Sequence, residues 1–237
     1  MSKKSIFITG AGAGIGAATA RLFAESGWQV GLFDQNFAAV AKLAQEIGSD
    51  RAMAGSLNVG NAQQWQSALD AFVSWAGQLD VLLNNAGILY SGAFENTRLV
   101  DHVRTMQVNI NGVLNGCHSA FPHLKANPHG ARVINLSSAS AIYGQTNLAS
   151  YSASKFAVRG LTEALDGEWK TYQIRVMDIM PMFVQTAMVT NMDAGSIKKM
   201  GVHLNADDVA QVIYKAATAH RMLAPTHWPV GLTSKAL

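Results

Sequence analysis

The sequence carries a single cysteine, Cys117, so no internal disulfide framework can hold it together, and a disulfide-stapled secreted scaffold is excluded. Only 14% of its 237 residues are charged, and 18 Lys and Arg stand against 15 Asp and Glu, a net charge of +3. The basic residues are scattered, so neither a nucleic-acid partner nor an acidic one is expected. No apolar run approaches the roughly 18 residues of a membrane span, and no membrane partner is expected. The start, Met1-Ser2-Lys3-Lys4, leads into an apolar run too short for a signal sequence, which gives the expectation of a reducing, cytoplasmic setting. Prolines number five, and no Pro/Gly/Ser-rich stretch or charge run divides the chain, so residues 1–237 are expected to form one domain. What the chain does have is 49% hydrophobic residues, enough to bury a sizeable core without metals or bridges; disordered and fibrous classes are out.

Short apolar runs without alternation recur, separated by longer helical segments, the pattern of a parallel sheet covered on both faces. Strands are expected at Ser5–Thr9, Gln29–Phe33, Ala52–Leu57, Val81–Leu83, Arg132–Leu136 and Ile174–Ile179. Helices are expected near Gly14–Ser26, Phe37–Ile47, Ala62–Trp75, Leu99–Pro122, Ser150–Tyr172 and Ala206–Ala219. Asn205, followed by Asp207 and Asp208, suits the start of the last helix as cap and dipole partner. The alternation predicts an α/β fold: a doubly wound, Rossmann-like parallel sheet whose ligands bind beyond the carboxyl ends of the strands.

Directly after the first strand comes Thr9-Gly10-Ala11-Gly12-Ala13-Gly14-Ile15-Gly16, then an Ala-rich helix. Glycines at 10, 12, 14 and 16, with Ile15 between them, let backbone approach a pyrophosphate, while the helix aims free amides at that anion. The second strand ends at Asp34, close to the spacing of about 20 residues at which a carboxylate accepts from a ribose 2′-hydroxyl. A 2′-phosphate would be repelled there, and neither Ala13 nor Gln35 and Asn36 supplies a cation, so NAD is the expected cofactor rather than NADP.

Tyr151-Ser152-Ala153-Ser154-Lys155 opens the fifth helix and sets phenol and ammonium on one helix face. An unperturbed phenol titrates near pH 10, and a neighbouring Lys⁺ together with an oxidised nicotinamide favours tyrosinate, making an acid/base. Chance alone gives such a pair in roughly one chain in five of this composition; requiring Ser138, thirteen residues upstream, lowers that to about one or two in a hundred. Ser138 follows a strand at its carboxyl end, where a hydroxyl can bind a substrate oxygen as charge develops. Ser137 and Ser140 read as turn hydroxyls. Serine nucleophile chemistry lacks a G-x-S-x-G elbow.

The T-G-x-x-x-G-x-G loop with Ser138, Tyr151 and Lys155 resembles the short-chain dehydrogenase/reductase family, in its NAD-type form, and the resemblance runs from Thr9 to about Met188. It implies that Asn84-Asn85-Ala86-Gly87 supports the sheet and contacts the adenosine ribose through Asn85, Ala86 and Gly87. It also implies a water-holding role in proton relay for Asn109, in preference to Asn111, and adenine contacts from Asn58 and Val59, where the family usually has Asp-Val. Pro181-Met182-Phe183-Val184-Gln185-Thr186 resembles the family's P-G-x-V-x-T, which gives Pro181, Val184 and Thr186 to the nicotinamide side; Met182 replaces the family glycine and either narrows the pocket or shifts the backbone. A substrate lid is implied around 182–204, and Met182, Phe183, Met188, Met192 and Met200 point to a partly hydrophobic substrate, with Leu89, Tyr90 and Tyr143 as further candidate wall. The helices around Asp101–Ala120 and Ser150–Tyr172 are the implied contact of a homodimer or homotetramer, with Val113, Ala157 and Leu161 compatible with it or with core packing. The seven histidines show no close ligand spacing, so metal-free chemistry is expected.

The expected activity is interconversion of a secondary alcohol and a ketone, with Asn109, Ser138, Tyr151 and Lys155 as the catalytic set. Two alternatives use the same residues or fold: an NAD-dependent dehydratase or epimerase, and a dinucleotide-sensing regulator without catalysis.

Overall fold

A computed structural model of the chain describes residues 3–186, 203–220 and 224–231. Seven strands lie parallel in one sheet: β1 (Ser5–Thr9), β2 (Gln29–Asp34), β3 (Ala52–Ser56), β4 (Val81–Asn84), β5 (Ala131–Leu136), β6 (Ile174–Pro181) and β7 (His227–Val230). Their order is β3-β2-β1-β4-β5-β6-β7, so the winding reverses between β1 and β4 and opens a crevice at the carboxyl ends of those two strands. Between the strands run α1 (Gly14–Glu25), α2 (Phe37–Ile47), α3 (Ala62–Ala76), α4 (Leu99–Met106), α5 (Gly112–Lys125), α6 (Ala149–Glu168) and α7 (Ala206–Thr218).

Alternation along the strands feeds two apolar layers. Ile6 and Ile8 of β1 pack with Leu32, Leu83 and Ile134 under α1, α2 and α7, where Phe23 and Ile213 are fully buried. Phe7, between them, points to the other face and joins Phe33, Trp65, Phe72, Val133 and Val176 under α3, α5 and α6. There the Phe7 and Phe33 rings stack at 4.1 Å and the Phe72 ring meets Phe7 edge-on at 5.5 Å. Asparagines start three helices: Asn36 accepts from the Ala39 amide, Asn61 from those of Gln63 and Gln64, and Asn205 forms a capping box with Asp208.

Two features depart from the sequence reading. The helix expected over Leu99–Pro122 is interrupted by a π-helical turn at Gln107–Asn111 and continues through Pro122 to Lys125. The strand β7 was not anticipated, since its sequence His227-Trp228-Pro229-Val230 contains a proline; it lies at the sheet edge, where a missing amide on the outer side breaks no ladder. Among the described residues no helix is long and apolar enough to cross a membrane.

Candidate active site

The loop from β1 into α1 is built against the turn after β4. The Thr9 hydroxyl accepts from the amides of Asn85 (3.0 Å) and Ala86 (3.1 Å), while Asn85 Nδ2 donates back to the carbonyls of Thr9 (2.8 Å) and Gly10 (3.0 Å). That staple leaves no room for side chains: a Cβ on Gly16 would stand 2.2 Å from the Gly10 carbonyl oxygen, and Gly10 itself has φ +65° with the Ala86 backbone against it. The residue before α1 is Ala13, which offers no side-chain cap, and the first turn holds no acidic residue. The orphan amides of that turn therefore face the crevice uncapped, as an anion-binding end requires. Asp34 closes this end: Oδ2 accepts from the Gly12 amide at 3.0 Å and Oδ1 from the Asn36 amide at 2.9 Å.

From Asp34 a continuous cleft of about 320 Å³ runs along the carboxyl ends of the strands. Gly10, Gly14, Ile15 and Asp34 line one end, Asn85, Ala86 and Gly87 its middle, and Ser138, Tyr151 and Lys155 the other end. Pro181, Val184 and Thr186 also line it, Thr186 lying so close over the loop that a Cβ on Gly14 would be 3.3 Å from its Cγ2. The sequence-expected residues Gly12, Gly16, Asn58, Val59 and Asn109 do not line the cleft. Gly16 lies behind the Gly10 carbonyl, and Val59 is buried with its carbonyl taken by Trp65 Nε1 and Asn115 Nδ2. Asn58 is exposed and folds its Oδ1 onto the Gly60 amide, although the Leu57 amide donates to the Asp34 carbonyl and brings this turn alongside.

At the far end, Ser138 follows β5 in extended backbone, and its hydroxyl accepts from the Ser140 amide at 3.1 Å. Tyr151 and Lys155 sit one turn apart in α6, with Lys155 Nζ 5.4 Å from the phenol ring centroid. The Lys155 ammonium donates to the Leu136 carbonyl at 2.7 Å. Burial pushes the Tyr151 phenol up to about 12, opposed by a hydrogen bond with Ser138. Burial likewise pushes Lys155 down to about 8, opposed by the charge of Asp178. Desolvation of a buried tyrosinate thus outweighs the hydrogen bond from Ser138.

Asn109 lies in the π-helical turn and is buried. Its Oδ1 accepts from the Ile88 amide (2.9 Å), and its Nδ2 donates to the Ile88 carbonyl (2.9 Å) and to Ser154 Oγ (3.1 Å). Asn111, by contrast, is exposed, and its Nδ2 donates to Gln107 Oε1 at 2.8 Å. Met182 donates its amide to the Val230 carbonyl of β7 at 3.1 Å, its φ is not positive, and it is among the residues lining the cleft. Of the other wall candidates, Leu89 and Phe183 line the cleft and Tyr90 and Tyr143 do not. Val184 bridges Leu204 across the two ends of the expected lid, whose residues 187–202, with Met188, Met192 and Met200, fall outside the described residues.

Sequence reasoning missed Gln145, a buried residue of the loop before α6 that lines the cleft, and undervalued Ser137 and Ser140, which line it as well. Loop residues carry no periodicity by which they could be found. Among the described residues no three His, Cys, Asp or Glu side chains gather in a metal-binding group.

The family model of the short chain dehydrogenases matches residues 4–196. The chain is 34% identical to the trans-4-hydroxycyclohexanecarboxylate dehydrogenase of Sinomonas cyclohexanicum, covering 82% of this chain and 78% of that protein. It is 32% identical to the cyclohexanol dehydrogenase of an Acinetobacter species, over 90% of this chain and 86% of that one. Among solved structures, the 3-ketoacyl-(acyl-carrier-protein) reductase of Brucella melitensis, complexed with NADH, superposes with a TM-score of 0.91 at 29% identity and covers 99% of this chain and 98% of its own. The glycine loop stapled to Asn85, the seven-stranded winding and these relatives lead to one assignment: the chain belongs to the short-chain dehydrogenase/reductase family.

Proposed function

We propose that this protein is an NAD(H)-dependent oxidoreductase interconverting a secondary alcohol and a ketone, with Tyr151 as the acid/base. The observation that carries the reading is the unbroken cleft, with Asp34 and the uncapped start of α1 at one end and Ser138, Tyr151 and Lys155 at the other. The residues fit a dinucleotide: bare glycine backbone and free amides suit a pyrophosphate, and the Asp34 carboxylate suits a ribose 2′-hydroxyl. When bound, the nicotinamide cofactor supplies the acceptor or donor of a hydride.

The protein's own groups handle the oxygen and its proton. Ser138 donates to the substrate oxygen, a role in which a single such donor contributes about 2.7–4 kcal/mol. With its phenol pushed up to about 12, Tyr151 holds its proton at neutral pH and delivers it to the oxygen in the reductive direction. In the oxidative direction Tyr151 must first lose that proton, which the Lys155 ammonium and the positive ring of the oxidised cofactor favour. Lys155 also binds the nicotinamide ribose. Asn109 is a positioning residue: its amide is committed to Ile88 and to Ser154, whose hydroxyl donates to the Tyr151 carbonyl at 2.7 Å, so a relay through Asn109 passes by its backbone. Asn58 and Val59 flank the adenine end, and Pro181, Val184 and Thr186 the nicotinamide end.

Leu89, Met182 and Phe183 beside Ser138 and Gln145 favour an uncharged, partly hydrophobic substrate, and the alicyclic alcohols in the names of two relatives make ring-bearing secondary alcohols the first choice. Leu99, Val100 and Val103 on α4 and Phe156 on α6 are exposed apolar residues that suit a homodimer or homotetramer contact; Val113 instead packs in the core. A reducing, cytoplasmic setting fits the single buried thiol. Following NADH formation by fluorescence over a panel of cyclic and acyclic secondary alcohols tests the proposal. Turnover on ring alcohols is expected; tight NAD binding with no turnover on alcohols or ketones would make the protein a sensor instead.

A further inference from the structure

One register position from the carbonyl that receives the Lys155 ammonium, on the neighbouring strand, stands a carboxylate that belongs to none of the motifs above. Asp178, on β6, is fully buried. In register it stands between Asn135 of β5 and His227 of β7, and the same rung reaches Asn84 of β4. A line of polar side chains therefore crosses four strands inside the layer under α5 and α6. Asn84 Nδ2 donates to Asn135 Oδ1 at 2.9 Å, Asn135 Nδ2 donates to Thr162 Oγ1 at 2.9 Å, and Asp178 Oδ1 meets His227 Nδ1 at 2.8 Å. Asp178 Oδ2 has no hydrogen-bond partner among the described residues. One rung along, Leu136 pairs with Ile179, and it is the Leu136 carbonyl that receives the Lys155 ammonium.

His227 joins this interior to the surface. Its second nitrogen, Nε2, lies 3.0 Å from Glu163 Oε1, and its side chain is 26% exposed while that of Asp178 is not exposed at all. An imidazole with both nitrogens on carboxylate oxygens is satisfied as an imidazolium with two donors, or with one carboxyl holding the proton. Of the ionisable groups on α6, Lys155, Arg159 and Glu163 face this region, Arg159 pairing with Glu163 at 3.0 Å. Further along, Asp166 is occupied by Arg175 and Thr226. The β5 neighbour, Asn135, is neutral. Burial pushes the Asp178 carboxyl up, and His227 and Arg159 pull it back down.

We propose that Asp178 and His227 are positioning residues of the catalytic centre: a buried countercharge, set from the sheet edge by His227, that keeps the Lys155 ammonium protonated beside Tyr151. The inference rests on the reading of Lys155 as the partner of Tyr151. An unpaired ion in such a layer is costly, so Asp178 and Lys155 hold their charges together, and the His227 ring at the edge fixes Asp178 Oδ1 in that arrangement.

The test is a side-chain NMR titration of Lys155 in the cofactor-free protein, its signal assigned by comparison with Lys155→Arg. In Asp178→Asn and in His227→Gln the amine is expected to titrate about one pH unit below wild type. The alkaline fall of kcat/KM for alcohol oxidation should move down by the same interval. The His227 ring is partly exposed at the sheet edge, so His227→Gln decides the matter even if Asp178→Asn does not fold. A Lys155 titration superimposable on wild type in His227→Gln overturns the proposal, as does a fall in activity equal at all pH values without that shift. If Lys155→Met retains full alcohol oxidation, the catalytic reading of Lys155 fails, whereas the NMR shift still reports the charge coupling by itself.

Discussion

Replacing Asp34 should change which dinucleotide the protein prefers, and the size of the change follows from the charge its carboxylate presents to a ribose 2′ position. A hydrogen bond from a ribose hydroxyl to a carboxylate contributes about 1.5–3 kcal/mol against about 0.5–1.5 kcal/mol for a neutral acceptor, so Asp34→Asn, which keeps an acceptor but loses its charge, should weaken NAD about tenfold. For NADP the sign reverses. A negative charge about 5 Å from the carboxylate costs about 3 kcal/mol at an effective dielectric near 20, and solvent screening at this partly exposed site reduces that to a factor of at least about ten. The ratio of kcat/KM for NAD to that for NADP should therefore fall by about two orders of magnitude. Asp34 also accepts from the Gly12 and Asn36 amides, and an asparagine oxygen can take only part of that load, so some loosening of the loop accompanies the change. Loosening alone would weaken both dinucleotides together. Steady-state kinetics with each cofactor separates the two effects: a variant that loses NAD and NADP activity in equal proportion refutes the ribose contact.

Other outcomes follow from single sites. Gly16→Ala places a Cβ 2.2 Å from the Gly10 carbonyl oxygen; thermal unfolding should show Tm lower by roughly 6–12 °C, from about 3 kcal/mol of overpacking, and an unchanged Tm would contradict the stapled loop. Burial pushes the Cys117 thiol up to about 12, so at pH 8 only about one molecule in ten thousand carries a thiolate; an aromatic disulfide reagent should leave the native protein untouched and titrate one thiol per chain after unfolding. Burial would push the Asp166 carboxyl up, but Arg175, the Val176 amide and the Thr226 hydroxyl together hold it below the usual carboxylate range. A depressed folded value means stability present above the unfolded value near 3.9 and lost as pH falls through the folded one. Asp166→Asn should accordingly cost about 2–3 kcal/mol at pH 7, roughly 4–12 °C in Tm, with the gap to wild type closing under acid; a gap independent of pH would contradict the pairing.

The parts legible in the sequence are those whose chemistry is local. Glycines spaced over one turn, an acid at the end of the next strand, and a tyrosine four residues before a lysine in a helix declare themselves because each depends on neighbours within a few positions. The Asp178 and His227 contact spans 49 positions and exists only through the register of β6 with β7, a strand hidden by Pro229. No spacing rule reaches that far. The π-helical turn was equally silent, since its residues fit an ordinary helical pattern, yet it carries Asn109, whose amide clamps Ile88. At Asn58 and Val59 the sequence shows a motif position but not its local bonds: the Asn58 side chain accepts from the Gly60 amide, and the Val59 carbonyl accepts from Trp65 and Asn115.

The most direct measurement is the rate of alcohol oxidation, across pH, by a Tyr151→Phe protein shown to be folded and to bind NAD as wild type does. Losing the proposed proton acceptor should slow the reaction about a hundredfold to ten-thousandfold and abolish the rise of rate with pH. A phenylalanine protein that oxidises alcohol at the wild-type rate, with the same pH profile, would contradict the assignment of Tyr151 as the acid/base.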